Sequence, residues 1–159
     1  MSKEKRIIGK KDKADFPTMG LNNIDIKIDT GAYTSSIHCH EIKTEIVDGI
    51  KIVKFKLLDP THSNYNNLVL SSPIYKEKKV KSSIGKAEKR YIIKSFILLF
   101  NKKYVIELSL TNRGSMRYPV LIGRKLLNKK FLVDTSLTNL SYAHKQNLNK
   151  PNENSSFIS

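Results

Sequence analysis

Hydrophobic and polar positions alternate along most of this chain with a period of two, the pattern of strands that bury one face. In NIDIKIDTG, Ile24, Ile26 and Ile28 alternate with Asp25, Lys27 and Asp29, and the run closes on Gly31. GIKIVKFKLL at 49–58 repeats the alternation until Asp59-Pro60 stops it. THSNYNN at 61–67 predicts a polar loop, and NLVLSSPIY at 67–75 a further strand broken at Pro73. KEKKVKSSIGKAEKR at 76–90 is polar, basic and Gly-bearing, the profile of an exposed hairpin. YIIKSFILLF and KYVIELSL around NKK at 101–103 predict a second hairpin. YPVLIG reads as a short buried strand ended by Gly123, RKLLNKK as the one helical segment, and FLVDTS as the last strand. From Ala143 the chain is polar and Asn-rich, which predicts a disordered tail over 143–159 behind a single domain at 1–142. So many strands with so little helix predict an all-β fold, a small closed barrel or a sandwich, with one short helix.

Length and composition fit that picture. A chain of 159 residues is the size of one domain, or of one subunit that works as a pair. The longest apolar run, FILLF at 96–100, is too short to span a bilayer, so no membrane association is expected. The basic start lacks the apolar stretch of a signal peptide, and export is not expected. Cys39 is the sole cysteine, which excludes a disulfide scaffold and suits the reducing cytoplasm. Charge changes the picture more. There are 29 basic against 14 acidic residues, a net +15, and such a field attracts polyanions. The basic set is overwhelmingly lysine, so the clustering of Arg113, Arg117 and Arg124 marks sites that need a planar, bidentate donor.

The sharpest chemical feature is IKIDTGAYTSSIHC at 26–39. An apolar strand ends in Asp29, and Thr30, Gly31 and Ala32 follow at once. The turn presents a carboxylate among backbone N–H groups, with small neighbours that leave room for a substrate. A second segment, YPVLIGRKLL at 118–127, is a buried strand that breaks at Gly123 and enters a helix bearing Leu126 and Leu127.

Together the two segments resemble the aspartic peptidases of the retropepsin-like fold. In these a strand ending Asp-Thr-Gly-Ala is followed later by an apolar pair, a Gly and a short helix. That later segment packs around the catalytic turn. Over residues 6–142 the chain is similar to one bacterial branch, long labelled ATP-dependent zinc proteases. Members of that branch often accompany ATP-grasp amide ligases that add glutamates. The resemblance lies in IDTGAYTSSIHC, VKSSIGKAEKRYII at 80–93, LTNRGSMRYPVLIGRKLL at 110–127 and FLVDTS at 131–136. The chain departs from the family's usual form at Tyr33, where a basic residue is common, and at Thr135, where proline is common.

The resemblance implies a closed barrel of the retropepsin type, with Asp29, Thr30 and Gly31 catalytic and Ala32 beside the substrate. It makes 76–90 a flap with Ser82, Ser83 and Gly85 at its tip. It also implies trimming of glutamate-rich chains, for which Arg90, Arg113 and Arg117 are candidate carboxylate partners and Arg124 a structural residue. No cofactor is implied. Hydrolysis by carboxylates needs two of them close enough to share one proton. With a single Asp-Thr-Gly, the second Asp29 is expected from a symmetric homodimer.

Other readings are weaker. Asp134 in VDTS imitates a second motif, but too little chain follows it to build a second lobe. His38 and His40 project to one face of a strand, yet neither His62, His144 nor a carboxylate stands at diagnostic metal-ligand spacing, so no metal site is expected. The remaining alternative is a non-catalytic basic barrel that binds RNA or ribosomal protein, supported by charge alone.

Overall fold

The computed structural model describes residues 4–81, 84–112 and 117–149. Eleven strands appear among them. They are β1 (Arg6–Ile8), β2 (Lys11–Phe16), β3 (Leu21–Ile28), β4 (Ser35–Val47), β5 (Ile50–Leu57), β6 (Val69–Pro73), β7 (Lys76–Lys81), β8 (Ala87–Leu99), β9 (Lys102–Thr111), β10 (Val120–Ile122) and β11 (Phe131–Val133). Two helices accompany them, α1 (Arg124–Leu127) and α2 (Leu140–Asn149), and a single 3₁₀ turn covers Pro17–Met19.

The strands form a ring. The main sheet runs β10-β3-β2-β8-β9-β4, and β10 pairs at its far side with β4 as well. Val120 therefore sits opposite Ile26 on one side, in a parallel pairing, and opposite Ile37 on the other, in an antiparallel one. β5 and β6 extend the sheet beyond β4, β7 pairs with β8, and β1 with β11 forms a separate parallel pair.

The period of two explains the core. Ile24, Ile26 and Ile28 on β3 are all buried, as the alternation predicts; on β5 the buried set is Val53, Phe55 and Leu57, while Ile50, expected to open that strand's apolar phase, is exposed. They meet Ile97, Leu99, Ile106, Leu108, Val120 and Ile122 inside the ring, with Leu126 and Leu127 of α1 closing one end. Both predicted hairpins are present. The turn joining β8 and β9 falls one residue earlier than NKK, on Phe100 and Asn101 at φ 52° and 60°. That is the two-residue turn whose twist matches antiparallel strands.

The ordered chain continues past the expected boundary. Residues 143–149, anticipated as the start of a disordered tail, belong to α2. The helix is held from a distance, where local sequence gives no sign of it. Buried Asp12 of β2 accepts hydrogen bonds from the Ser141 and Tyr142 amides at 2.8 and 3.0 Å, satisfying the donors of the first turn. Ser141 Oγ accepts the Phe100 amide at 2.9 Å, and Arg6 lies 4.1 Å above the Phe100 ring while donating to His144 Nδ1. No helix among the described residues is long and apolar enough to cross a membrane.

Candidate active site

Asp29 is the first residue past β3, where the ring closes. Its amide donates to the Ile122 carbonyl of β10 at 2.8 Å, which extends the β3–β10 pairing by one bond. Its Oδ1 accepts the Gly31 amide at 3.0 Å, and its carbonyl accepts the Ala32 amide. The turn is thus fixed from within, and Asp29 is half-buried while Thr30 and Gly31 face outward.

The segment after β10 locks this turn in place. The Arg124 and Lys125 amides, at the start of α1, donate to the Ala32 and Tyr33 carbonyls at 2.9 Å each. The Gly123 amide donates to Ser35 Oγ at 3.0 Å, and the Arg124 guanidinium donates to the Thr30 carbonyl at 2.9 Å. Only glycine fits at 123, because a Cβ there would lie 2.5 Å from the Tyr33 oxygen and 2.9 Å from the Ala32 oxygen. The two motifs that stand far apart in sequence are therefore one structure, and Arg124 is spent on holding it.

Asp29 opens onto a cleft of about 470 Å³ between this turn and the β7–β8 hairpin. Ala32, Tyr33 and Thr34 form the rim on Asp29's side, and Lys78, Lys79 and Lys81 of β7 form the wall opposite. Arg90 of β8 lines the same cleft, with its Nε buried and unpartnered among the described residues. A second chamber of about 210 Å³ continues past Tyr33 toward Glu107, which pairs with Lys125 at 2.5 Å. The electrostatics are one-sided. Asp29 is the single carboxylate among the described residues lining the main cleft, against three lysines and one arginine. Glu77, the acidic residue of β7, is drawn away by Lys51 and Lys89 at 2.6 and 3.3 Å, and the Lys51 hydrogen bond holds its carboxyl below the usual range.

The other candidates fall in varied places. Ala32 and Arg90 share the cleft with Asp29. Gly85 is exposed beside the hairpin tip at φ 80° and is not among the cleft residues. Arg117 is exposed, 5.7 Å from the Tyr118 ring and likewise apart from the cleft. Ser82, Ser83 and Arg113 lie outside the described residues. Asp134 closes a turn of its own, accepting from the amide and hydroxyl of Ser136, which hold its carboxyl below the usual range. His38, buried, meets Asp59 at 2.8 Å, and His40 donates to the Leu58 carbonyl at 2.7 Å. In sequence Ser35 and Ser36 stood out only as small hydroxyl residues following the turn, and Ser109 was overlooked; Ser36 and Ser109 are buried residues that line the cleft. The signal was available for Ser109, which shares the polar phase of β9 with Glu107.

This geometry has close parallels. A crystal structure of a Legionella pneumophila protein of unknown function, from the DUF785 group, superposes with a TM-score of 0.70 at 28% identity. The match covers 87% of this chain and 99% of that one. Proteins named "Probable alpha-L-glutamate ligase" are similar as well. The one from Shewanella pealeana is 40% identical over 125 residues, and the one from Desulfotalea psychrophila 35% over 122. These alignments cover 79% and 76% of this chain but only 27% and 26% of the relatives, so the chain spans about a quarter of their length. Residues 7–144 match the model of the retropepsin-like aspartic endopeptidase RimB, and the chain belongs to this RimB-like family.

Proposed function

We propose that this chain is an aspartic-type peptidase that acts as a homodimer on acidic, glutamate-rich peptide. The observation that carries the reading is the placement of Asp29. It stands on a turn locked by Gly123 and Arg124, at the mouth of a cleft whose other charged lining residues, among those described, are all cationic.

One carboxylate does not suffice for the chemistry. Two of them at hydrogen-bonding distance cannot both ionise, so a pair shares a proton and provides an acid and a base together. The ionised member takes a proton from water as its oxygen adds to the peptide carbonyl carbon. The protonated member hydrogen-bonds the carbonyl oxygen, and the C–N bond then breaks as the nitrogen gains a proton. In the proposed dimer a second copy's Asp29 completes the pair across a two-fold axis. The outward exposure of Thr30 and Gly31 supports that reading, since these residues would meet their counterparts.

The substrate class rests on charge. A cationic cleft raises the local concentration of acidic peptide and steers it to Asp29. The relatives named probable alpha-L-glutamate ligase favour the same class, because a product to which glutamate has been ligated is an acidic one that a partner hydrolase would shorten. We propose a functional link to such a ligase on this ground.

The test is direct. Wild-type protein is expected to hydrolyse an oligoglutamate peptide, and Asp29→Asn to lose hydrolysis while keeping its melting temperature and dimer mass. Undiminished cleavage by Asp29→Asn would refute the assignment. The lysines of β7 also favour a second reading, polyanion binding without catalysis. Steeply salt-dependent RNA binding in a protein that hydrolyses no peptide would support that reading instead.

A further inference from the structure

The floor of the cleft shows more than a cationic surface. Residues directly opposite on paired strands share one face of a sheet. The pairs Leu121–Ser36, Ser36–Ser109 and Ser109–Ile92 therefore run as one row across β10, β4, β9 and β8. Two apolar side chains flank two hydroxyls on the wall of the cleft that Asp29 also lines. Ser36 and Ser109 are only 7% and 8% exposed, and both line the cleft. Their hydroxyls stand side by side on one face, placed to hydrogen-bond a polar group held in the cleft.

Arg90 supplies a matching donor one row away. It lies opposite Lys78 across the hairpin, on the face that carries Ile92. Its Nε is buried without a partner among the described residues, and its outer nitrogen is 3.8 Å from the exposed Glu88, too far for a hydrogen bond. The lysines of β7 differ in kind, because they are exposed point charges that salt screens.

We infer that Arg90, Ser36 and Ser109 form a pocket for the side-chain carboxylate of the substrate residue next to the bond that is cut. Arg90 determines specificity and the two serines position the group, while the lysines of β7 only steer. This rests on the peptidase reading for its site and deepens its substrate class. A carboxylate accepts from the guanidinium fork and both hydroxyls at once, and gives the buried Arg90 Nε the partner it lacks among the described residues. A carboxamide brings one acceptor and two N–H donors that find no carboxylate there except Asp29. A site built for one polar group rejects the analogue that leaves its buried partners unmatched.

Binding without turnover tests this apart from catalysis. Asp29→Asn protein is titrated calorimetrically with oligoglutamate and oligoglutamine peptides of equal length at about 0.5 M salt, where the steering of exposed lysines is screened. The glutamate peptide is expected to bind about tenfold tighter or better, the scale of one charge-assisted hydrogen bond. Adding Arg90→Lys keeps the charge but removes the fork, and is expected to abolish most of that preference. Adding Ser36→Ala with Ser109→Ala is expected to reduce it severalfold, and melting curves verify that each variant is folded. Equal binding of the two peptides, or an unchanged preference in both sets of variants, overturns the pocket. If the preference depends on Arg90 while wild-type protein cleaves neither peptide, the pocket stands and the peptidase reading falls.

Discussion

Replacing Gly123 with alanine probes the joint between the two halves of the site by adding one methyl group. At φ −93° and ψ 176° the backbone there suits any residue, so the substitution brings no conformational strain. What it brings is a collision. The new Cβ would meet the Tyr33 oxygen and carbon at 2.5 and 2.8 Å and the Ala32 oxygen at 2.9 Å, all backbone atoms. Those two carbonyls are pinned by the Arg124 and Lys125 amides at 2.9 Å, so they cannot withdraw without lengthening both bonds. Overpacking costs about 1–3 kcal/mol and each weakened hydrogen bond about 1 kcal/mol, for a total of about 3–5 kcal/mol. In a chain of this length, that lowers the melting temperature by about 6–20 °C.

Thermal unfolding followed by circular dichroism measures the loss, with Gly20→Ala as the comparison. Gly20 has φ 67° but open space around it, so alanine there meets strain without collision and costs about 1 kcal/mol. Hydrolysis is expected to fall with Gly123→Ala even well below its melting temperature, because displacing Ala32 and Tyr33 re-aims Asp29. A Gly123→Ala protein that melts within about 2 °C of wild type, or that matches Gly20→Ala, would refute the argument that the turn is locked by backbone contact.

Four further outcomes follow from the same geometry. Ser35→Ala leaves the Gly123 amide unsatisfied at a buried site and is expected to cost about 1–3 kcal/mol in denaturant unfolding, with lowered activity. Burial pushes the Cys39 thiol up to about 12, so a thiol reagent at neutral pH is expected to label it only at the rate of unfolding; rapid labelling of folded protein would contradict this. Burial also raises the Asp12 carboxyl above its usual range, against hydrogen bonds from Ser141, Lys13 and Tyr142 that lower it. A raised folded pKa stabilises below the unfolded value and is lost as pH rises through the folded one, so wild type is expected to lose stability over that window relative to Asp12→Asn. A chelator is expected to leave hydrolysis unchanged, since a carboxylate pair needs no metal; loss of activity restored by zinc would overturn the dyad.

What the sequence disclosed, and what it concealed, follows from the range of the interactions. Strands that bury one face wholly in the core were legible, because Ile24, Ile26 and Ile28 repeat at the sheet period. β1 and β2 were not, since Lys11–Phe16 buries Asp12 in phase with Ala14 and Phe16, and a buried carboxylate disguises the pattern. α2 was hidden for the same reason from the other end. Its polar sequence gives little reason to fold alone, and the carboxylate that caps it, Asp12, lies 129 positions before Ser141, whose amide it accepts. The joint at Gly123 was legible because its place needs a missing Cβ, which no other residue type supplies. The serines of the cleft floor carry no such mark, for Ser36 and Ser109 become neighbours only when β4 and β9 pair in parallel. A proposed site that resides in one turn can thus be read locally. The proposed pocket, which draws on side chains from three strands, becomes visible only once the ring has closed.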